Sequence, residues 1–335
     1  MTAASGARSA WPSSLVTWAV VALIAAFPWF GGRFYVDLAL TIMISAIFAL
    51  SLELLVGMTG LVSFGHAAFF GIAAYAVALL SPAAGAPALW WLLPAAVGLA
   101  ALYAAIVGAL SLRTRSIYFI MVTLAFAQMA YYVFHDTPLG RGSDGIYVPA
   151  KPLIAVAGHN VLDLARPLTF YYFTLACLVA TFGFLALVAR SKFGHALAGI
   201  KVNEQRMRAA GFSTYAYKLA AFVIAGALAG IAGFLYAVKD GFVNPEILAW
   251  HQSGVVLLMI ILGGIGSLRG AVAGAFAFTL LKELAQSEAL FGAFAKHWQL
   301  TLGVVIIVCV AAMPNGLVGI ASATKRRIAP ILDAP

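Results

Sequence analysis

The chain has 335 residues, of which 64% are hydrophobic and only 9% are charged, with a net charge of +9. A soluble globular domain carries about 25% charged residues, so this chain has too little charge to cover a surface that faces water. Soluble enzymes, nucleic-acid-binding modules and disordered scaffolds are therefore excluded. The composition predicts an all-α, polytopic membrane protein.

Membrane spans are recognised as runs of roughly 20 apolar residues, which cross the hydrocarbon core as one helix. The run 11–30 is interpreted as a retained first span, because no small-x-small cleavage site of a signal peptide follows it. Ten spans are predicted, at about 11–30, 35–56, 60–80, 88–110, 116–135, 168–189, 218–238, 252–267, 270–285 and 298–313. Together they form a single transmembrane domain over residues 1–335.

The stretch 252–285 is too long for one span and short for two, and Arg269 lies near its middle. A re-entrant hairpin would place Arg269 deep in the membrane, where a charged side chain costs about 2.5–3.5 kcal/mol. We therefore predict two short crossings joined by a tight turn that contains Arg269.

The positions of Lys and Arg set the predicted orientation. The loop 190–217 and the cluster 325–327 are basic, and the positive-inside rule places both in the cytoplasm. With ten spans both termini are cytoplasmic, and 13 of the 20 Lys and Arg residues then lie on the cytoplasmic side. No segment between spans is long enough for a soluble domain, so we expect the chemistry in the membrane or on partner chains.

Few residues offer catalytic or redox chemistry. Cys177 and Cys309 lie in long apolar runs, without the number or spacing of a disulfide framework or a thiolate metal site. Glu53 is the one carboxylate clearly inside a span, whereas ion-driven carriers usually keep several titratable groups at mid-depth. It either titrates or is hydrogen-bonded near the cytoplasmic boundary. The sequence has no phosphate-binding loop, so any ATP is hydrolysed by another chain.

The third predicted span is unusually rich in glycine, which permits close helix contact or a local break. Within it, Ser63, Gly65 and His66 are candidates for a translocation path, because Ser63 and His66 are three residues apart and share a helix face. The alternative is a packing helix in which Ser63 and His66 are satisfied locally.

The stretch 263–270 repeats the Gly-x-x-Ser pattern of the third span. Its Gly264 and Ser267 are further candidates for the path. Two closely spaced glycine-rich helices equally indicate tight packing.

The cytoplasmic loop 190–217 contains the clearest local signal. Asn203 is a good N-cap, Glu204 follows in the first turn, and Gly211 suits the position after the C-cap. This pattern predicts a helix of about two turns, which is too short to be stable alone in water and is expected to dock on a partner. A solvated basic loop that only fixes the topology is the alternative.

The external loop around residues 140–146 is also rich in glycine. Its Ser143, Asp144 and Gly145 indicate a turn first, and a contact for an extracytoplasmic partner or substrate second.

Several longer motifs occur in order between about residues 40 and 320. They are GLVSFGHAAFFGIAAY at 60–75, GSDGI at 142–146, SKFGHALAGIKVNE at 191–204, AAGFSTYAYKLAAF at 209–222, GGIGSLRG at 263–270 and MPNGLVGI at 313–320. In order and spacing they resemble the motifs of permeases from branched-chain amino-acid ABC importers. The Ser-Asp-Gly of the outer loop and the Pro-x-Gly-Leu near the end resemble the M-type of the two permease subunits.

The resemblance implies the ten-helix fold of an ABC importer permease in a bacterial inner membrane. It implies a heterodimer with a second, related permease, two cytoplasmic ATPases and a periplasmic solute-binding protein. The loop 190–217 would then dock on an ATPase as a coupling loop, with Gly194, Asn203, Glu204 and Gly211 as the positions carried over. The chain departs from the family's pattern at His195 and at 205–207.

The implied activity is import of branched-chain amino acids, or of a related small solute such as urea, an amide or an aromatic acid. The energy would come from ATP on the partner subunits, so this chain would be neither an enzyme nor bound to a cofactor or metal. The rival hypothesis is an ion-coupled secondary carrier or channel, in which Glu53 would have to titrate.

Overall fold

The computed structural model describes residues 21–82, 85–156, 159–287, 292–313 and 316–319. The first half of the predicted first span, 11–20, lies outside the described residues, as does the basic cluster 325–327. Residues 21–26 are helical, and Phe27–Trp29 continue them as a 3-10 turn.

Helices make up most of the described chain, because a helix satisfies its own backbone polar groups inside a hydrocarbon core. In chain order they are α1 (Arg33–Glu53), α2 (His66–Leu80), α3 (Leu89–Ser111), α4 (Ile117–Asp136), α5 (Pro167–Arg190), α6 (Lys192–Val202), α7 (Glu204–Ala209), α8 (Thr214–Asp240), α9 (Trp250–Gly263), α10 (Leu268–Gln286) and α11 (Trp298–Ala312).

Six helices of the described part are long and apolar enough to cross a membrane. They are α1 with the π-helical turn Leu54–Thr59 that continues it, α3, α4, α5, α8 and the helix that begins at Trp298. The all-α, polytopic fold is therefore confirmed. Helix α2 has 15 residues, and α9 and α10 are short helices that bend by 114° at their junction. The count of ten crossings stays a prediction.

Helix α8 separates two ends of the bundle, which its 27 residues place about 40 Å apart. It begins after α6 and α7, and this side is called the loop-helix end. It ends next to four short strands, and this side is called the strand end. The strands are β1 (Ile146–Tyr147), antiparallel to β4 (Phe242–Val243), and β2 (Leu153–Val156), antiparallel to β3 (His159–Asp163).

The pair α9–α10 forms a hairpin whose turn, residues 264–267, points to the loop-helix end. The amide of Gly266 donates to Glu53 Oε1 at 2.7 Å, near the end of α1. Lys282 and Gln286 of α10 line a cavity with Asp37, near the start of α1, so α10 returns to the strand end. A tight turn is present at 264–267, within the predicted span 252–267, but the prediction that it contains Arg269 is wrong. Ser267 caps α10 earlier, so Arg269 is the second residue of that helix.

The core lies where α8 packs against α2 and α3 through a stripe of small residues. A Cβ on Gly226 would lie 2.3 Å from Ala104 Cβ, and one on Gly233 would lie 2.0 Å from the Phe70 carbonyl oxygen. Lipid offers no hydrophobic driving force between helices. The close approach of these backbones therefore stabilises the bundle through dispersion contacts.

Two tyrosines hold the N-terminal described segment against α5. The Tyr171 hydroxyl donates to the Ile24 carbonyl at 2.8 Å, and the Tyr172 hydroxyl donates to the Ala25 carbonyl at 3.1 Å. Trp29 Nε1 donates to the Tyr172 hydroxyl at 3.0 Å. These hydrogen bonds fix residues 24–29, which precede α1, against α5.

Candidate functional site

The polar candidates of the third predicted span lie at a break between α1 and α2. The π-helical turn ends at Thr59, Gly60 adopts φ +75°, and α2 begins only at His66. The prediction of a helix from residue 60 is therefore wrong for six residues, and Ser63 and His66 do not share a helix face. Gly60 leaves the helical conformation, and Ser63 Oγ accepts from the Gly65 amide at 3.2 Å in a local turn instead.

His66 is completely buried at the first position of α2. Its Nε2 lies 2.7 Å from Ser51 Oγ, and the Ser51 hydroxyl donates to the Phe48 carbonyl at 2.7 Å. Since the hydroxyl proton is used for Phe48, His66 Nε2 is the donor to Ser51. His66 Nδ1 then has no hydrogen-bond partner among the described residues. Ser51 was not predicted, and only its position two residues before the end of α1 could have suggested it.

The break is enclosed by protein on two further sides. Ser253 Oγ of α9 accepts from the Ala67 amide at 2.8 Å, which satisfies one of the free donors at the start of α2. A Cβ on Gly65 would lie 2.6 Å from the Thr123 carbonyl oxygen, so only glycine fits there. Irregular backbone at membrane depth is tolerated where protein covers it in this way.

Gly264 and Ser267 lie in the turn of the α9–α10 hairpin. Gly264 has φ +112°, and Ser267 Oγ caps α10 by accepting from the Gly270 amide at 3.2 Å. A Cβ on Gly263 would lie 1.9 Å from the Gly270 carbonyl oxygen. These residues therefore let two helices approach closely, and their place in a translocation path stays a prediction.

Glu53 is buried at the end of α1 and faces that turn. Its Oε1 accepts from Gly266, while its Oε2 has no hydrogen-bond partner among the described residues. A Cβ on Gly57 would lie 2.0 Å from Glu53 Oε1, so the carboxylate rests directly on the Gly57 backbone. The hydrogen bond from Gly266 fits the hydrogen-bonded interpretation of Glu53, and a titrating role stays a prediction.

The loop 190–217 contains two helices where one was predicted. The predicted helix is α7, capped by Asn203 Oδ1, which accepts from the Arg206 amide at 2.9 Å, and followed by Gly211 with φ +88°. Helix α6 was not predicted, although Ser191 caps it by accepting from the Gly194 amide at 3.2 Å. A Cβ on Gly194 would lie 2.2 Å from the Val188 carbonyl oxygen, so glycine permits the sharp turn out of α5.

Glu204 fastens α7 to the start of α8. Its carboxylate accepts from Arg208, from Lys218 and, at 3.0 Å, from the Thr214 hydroxyl, which itself accepts from Arg208 Nε at 3.0 Å. Burial alone would raise the pKa of Glu204, but the hydrogen bonds from Lys218 and Arg208 outweigh it and lower the pKa to about 2. The loop therefore holds a permanent anion inside a basic face.

Ser143 and Asp144 lie exposed at the strand end, in the 3-10 turn Gly142–Asp144. Gly145 follows with φ +65°, and a Cβ there would lie 2.5 Å from the Val243 carbonyl oxygen of β4. The pairing of β1 with β4 thus requires this glycine, and it leaves the Ser and Asp side chains pointing away from the bundle.

Comparison with protein families identifies the family to which this chain belongs. The model of a family described as branched-chain amino acid transport system / permease component matches residues 34–311. The chain belongs to this permease family. It is a multi-pass membrane protein and a transport permease, as the motifs indicated.

Named relatives agree with the family. The high-affinity branched-chain amino acid transport system permease protein LivM of Escherichia coli (strain K12) is 30% identical over 318 residues, which cover 89% of this permease and 73% of the relative. LivH of the same strain is 23% identical over 290 residues, 82% of this chain and 91% of the relative. The predicted likeness to the M-type subunit is confirmed.

A more distant relative matches only part of the permease. The autoinducer 2 import system permease protein LsrC of Escherichia coli O9:H4 (strain HS) is 30% identical over 133 residues, 36% of this chain and 38% of the relative. No solved structure matches the chain.

Proposed function

We propose that this permease is the M-type transmembrane subunit of an ABC importer that moves branched-chain amino acids into the cytoplasm. The observation that carries the proposal is the family match over residues 34–311, with LivM as a relative over 89% of the chain. The printed names of LivM and LivH concern branched-chain amino acids, so leucine, isoleucine and valine are the first substrates to test.

The loop-helix end is the proposed docking face for a cytoplasmic ATPase. Helices α6 and α7 are held as a rigid pair, because Met207 of α7 fills the space beside Gly199 of α6 and Glu204 ties α7 to α8. A rigid pair can transmit a displacement, whereas a solvated loop would absorb it. In the proposed orientation this end and both termini are cytoplasmic, in a bacterial inner membrane.

The strand end is the proposed contact for a periplasmic solute-binding protein. Ser143 and Asp144 are presented outward by a turn that β1 and β4 hold in place. Such a contact needs exposed polar groups on a fixed backbone, because ordering a flexible loop on binding costs free energy.

The path itself is proposed to form beside the helix break, between this chain and a second, related permease. Ser63, Gly65 and His66 lie at the break, and Gly264 and Ser267 lie in the hairpin turn. Since Ser63 and His66 are buried within this chain, they are assigned to shaping the wall of the path. A ligand shifts a conformational equilibrium only if it binds the two states differently, and ATP on the partner subunits would supply that difference.

Uptake of radiolabelled leucine in cells with and without the gene tests the proposal, with unlabelled valine, urea and benzoate as competitors. Loss of uptake in the deletion strain, together with competition by valine alone, is expected. Unchanged leucine uptake would contradict the substrate, and uptake of labelled urea, amides or aromatic acids would then be measured in the same strains.

The rival, an ion-coupled carrier, predicts uptake that collapses with an uncoupler while ATP is held constant. The hydrogen bond from Gly266 to Glu53 gives this carboxylate a structural partner, and E53Q is therefore expected to transport normally. Abolished uptake in E53Q, with the protein still in the membrane, would favour the carrier.

A further inference from the structure

Three contacts join the loop-helix pair to the hairpin turn. Lys201, at the end of α6, donates from Nζ to the Gly57 carbonyl at 2.7 Å. Gly57 lies against the carboxylate of Glu53, since a Cβ there would overlap Oε1 at 2.0 Å. Glu53 Oε1 in turn accepts from the Gly266 amide at 2.7 Å. Lys201, the segment 53–57 and Gly266 are thus far apart in the sequence and consecutive in space.

The middle of this chain of contacts is a π-helical turn, Leu54–Thr59, that contains Gly57. π-helical turns are rare in proteins and are frequently located at functional sites. Here the Gly57 carbonyl accepts a hydrogen bond from Lys201 Nζ. The exposed α6 side chain is thus anchored on the end of the long helix α1 rather than left in solvent.

The hairpin turn can pass a displacement on because its helices are in backbone contact. A Cβ on Gly270 would lie 2.7 Å from the Gly264 carbonyl oxygen, and one on Gly274 would lie 1.9 Å from that of Met259. With no side chains between them, α9 and α10 move together. Ser253, near the start of α9, then reaches the helix break through its hydrogen bond to the Ala67 amide.

We infer that Lys201, Gly57 and Glu53 are positioning residues, which relay movement of α6 and α7 to the hairpin turn and so to the helix break. The inference rests on the proposed function, in which α6 and α7 dock on an ATPase. Glu53 acts as a hydrogen-bond acceptor in the relay, so its charge is dispensable and its acceptor oxygen is not.

The first measurement is hydrogen exchange of the amides of 264–267 in the purified, full-length chain. K201M and E53L each break one contact and are expected to raise exchange at this turn at least fivefold. E53Q keeps an acceptor oxygen and K201R keeps a donor, so both are expected to stay near the wild-type rate. K192M is the matched control, because Lys192 lies at the other end of α6 and its side chain makes no ion pair or hydrogen bond within the described ranges.

The second measurement is the number of ATP molecules hydrolysed per solute taken up, in proteoliposomes that contain the complete importer. K201M and E53L are expected to raise this ratio at least threefold, while E53Q, K201R and K192M leave it unchanged. A variant that simply folded poorly would lower hydrolysis and uptake together and would not move the ratio. Should E53L fail to assemble, K201M decides, since its side chain lies on the surface.

The relay is overturned if K201M matches K192M in either measurement, or if E53Q behaves as E53L does. Failure of the proposed function looks different. In that case the wild-type complex shows no solute-stimulated ATP hydrolysis. Hydrogen exchange of the 264–267 amides in the purified chain then remains as the one test of whether these contacts form a relay.

Discussion

Glu204 of α7 and Lys218 of α8 form an ion pair across the junction between the loop helices and the long helix of the core. They are 14 positions apart in the sequence, and α7, the turn after it and the first turn of α8 lie between them. A helix of six residues has little stability of its own, so this pair, with Arg208 and Thr214, fixes where α7 lies.

Replacing Glu204 by Gln is expected to free α7 and to lower solute uptake severalfold, while the chain stays in the membrane. The amide cannot pair with both Lys218 and Arg208 as a carboxylate does. Limited proteolysis at 203–213 and uptake in the same cells measure the two effects. R206Q is the matched control, since no ion pair involves the Arg206 side chain within the described residues. Normal uptake in E204Q would contradict a coupling role for this loop.

The ion pair between Glu204 and Lys218 also predicts how the protection of residues 203–213 from proteolysis depends on pH. The pKa of Glu204 is lowered from the ordinary 4.5 to about 2, so its contribution is fully present above pH 4.5 and is lost as the pH falls toward 2. The protection that distinguishes wild type from E204Q is therefore expected to be constant from about pH 8 to about pH 5 and to shrink below that. A difference that already varies around neutral pH would show that another group controls the loop.

Replacing Ser51 by Ala is expected to destabilise the helix break. The change leaves the buried Nε2–H of His66 without its acceptor, which costs about 1–3 kcal/mol. Thermal unfolding of the purified chain in detergent measures the loss as a lower Tm. S81A is the control, because among the described residues the Ser81 hydroxyl is bonded only to the Val77 carbonyl of the helix before it. Equal Tm values for S51A and S81A would contradict the pairing.

Two Gly→Ala substitutions distinguish the effect of close helix packing from the effect of helix propensity. G274A places a Cβ on the Met259 carbonyl oxygen, so it is expected to push α9 from α10, to lower Tm and to abolish uptake. A Cβ on Gly183 of α5 would have no described atom of another helix within 4 Å, so G183A is expected to leave both properties unchanged. A harmless G274A would show that the hairpin helices are farther apart than the structure places them.

The S143A/D144N double variant is expected to leave Tm unchanged and to affect only the encounter with a solute-binding protein. Both side chains are exposed, and neither hydrogen-bonds to the backbone of the turn in the part of the chain that the structure describes. The concentration of loaded binding protein for half-maximal ATP hydrolysis is expected to rise severalfold, with the maximal rate retained. D136N, an exposed acid at the same end, serves as the control. A lower maximal rate with unchanged half-saturation would argue against a docking role.

The parts of this fold that local rules govern could be predicted from the sequence. The end of α7 was located because N-caps and left-handed C-terminal glycines depend on residues three or four apart. The long helices followed from runs of apolar residues. Helix α6 was missed because the basic residues of the loop were interpreted as topology signals, although Ser191 stood at its N-cap.

The contacts that define the candidate site could not be predicted in this way. Glu53 and Gly266 are 213 residues apart, and Ser253 and Ala67 are 186 residues apart. Nothing in their local sequence records the partner, because the pairing depends on how complete helices pack. The glycines before His66 did indicate a possible break, but not that Gly60 would leave the helical conformation there.

The hydrogen bond from Tyr171 to the Ile24 carbonyl has a consequence for how the protein is made. The two residues are 147 positions apart, and a ribosome adds about 5–20 residues per second, so the tyrosine is synthesised about 7–30 s after its partner. For that interval the segment around Ile24 must wait in the membrane without its final neighbour. In the predicted topology, its early stay in the lipid therefore depends on its own hydrophobicity, and its final docking waits for the synthesis of α5.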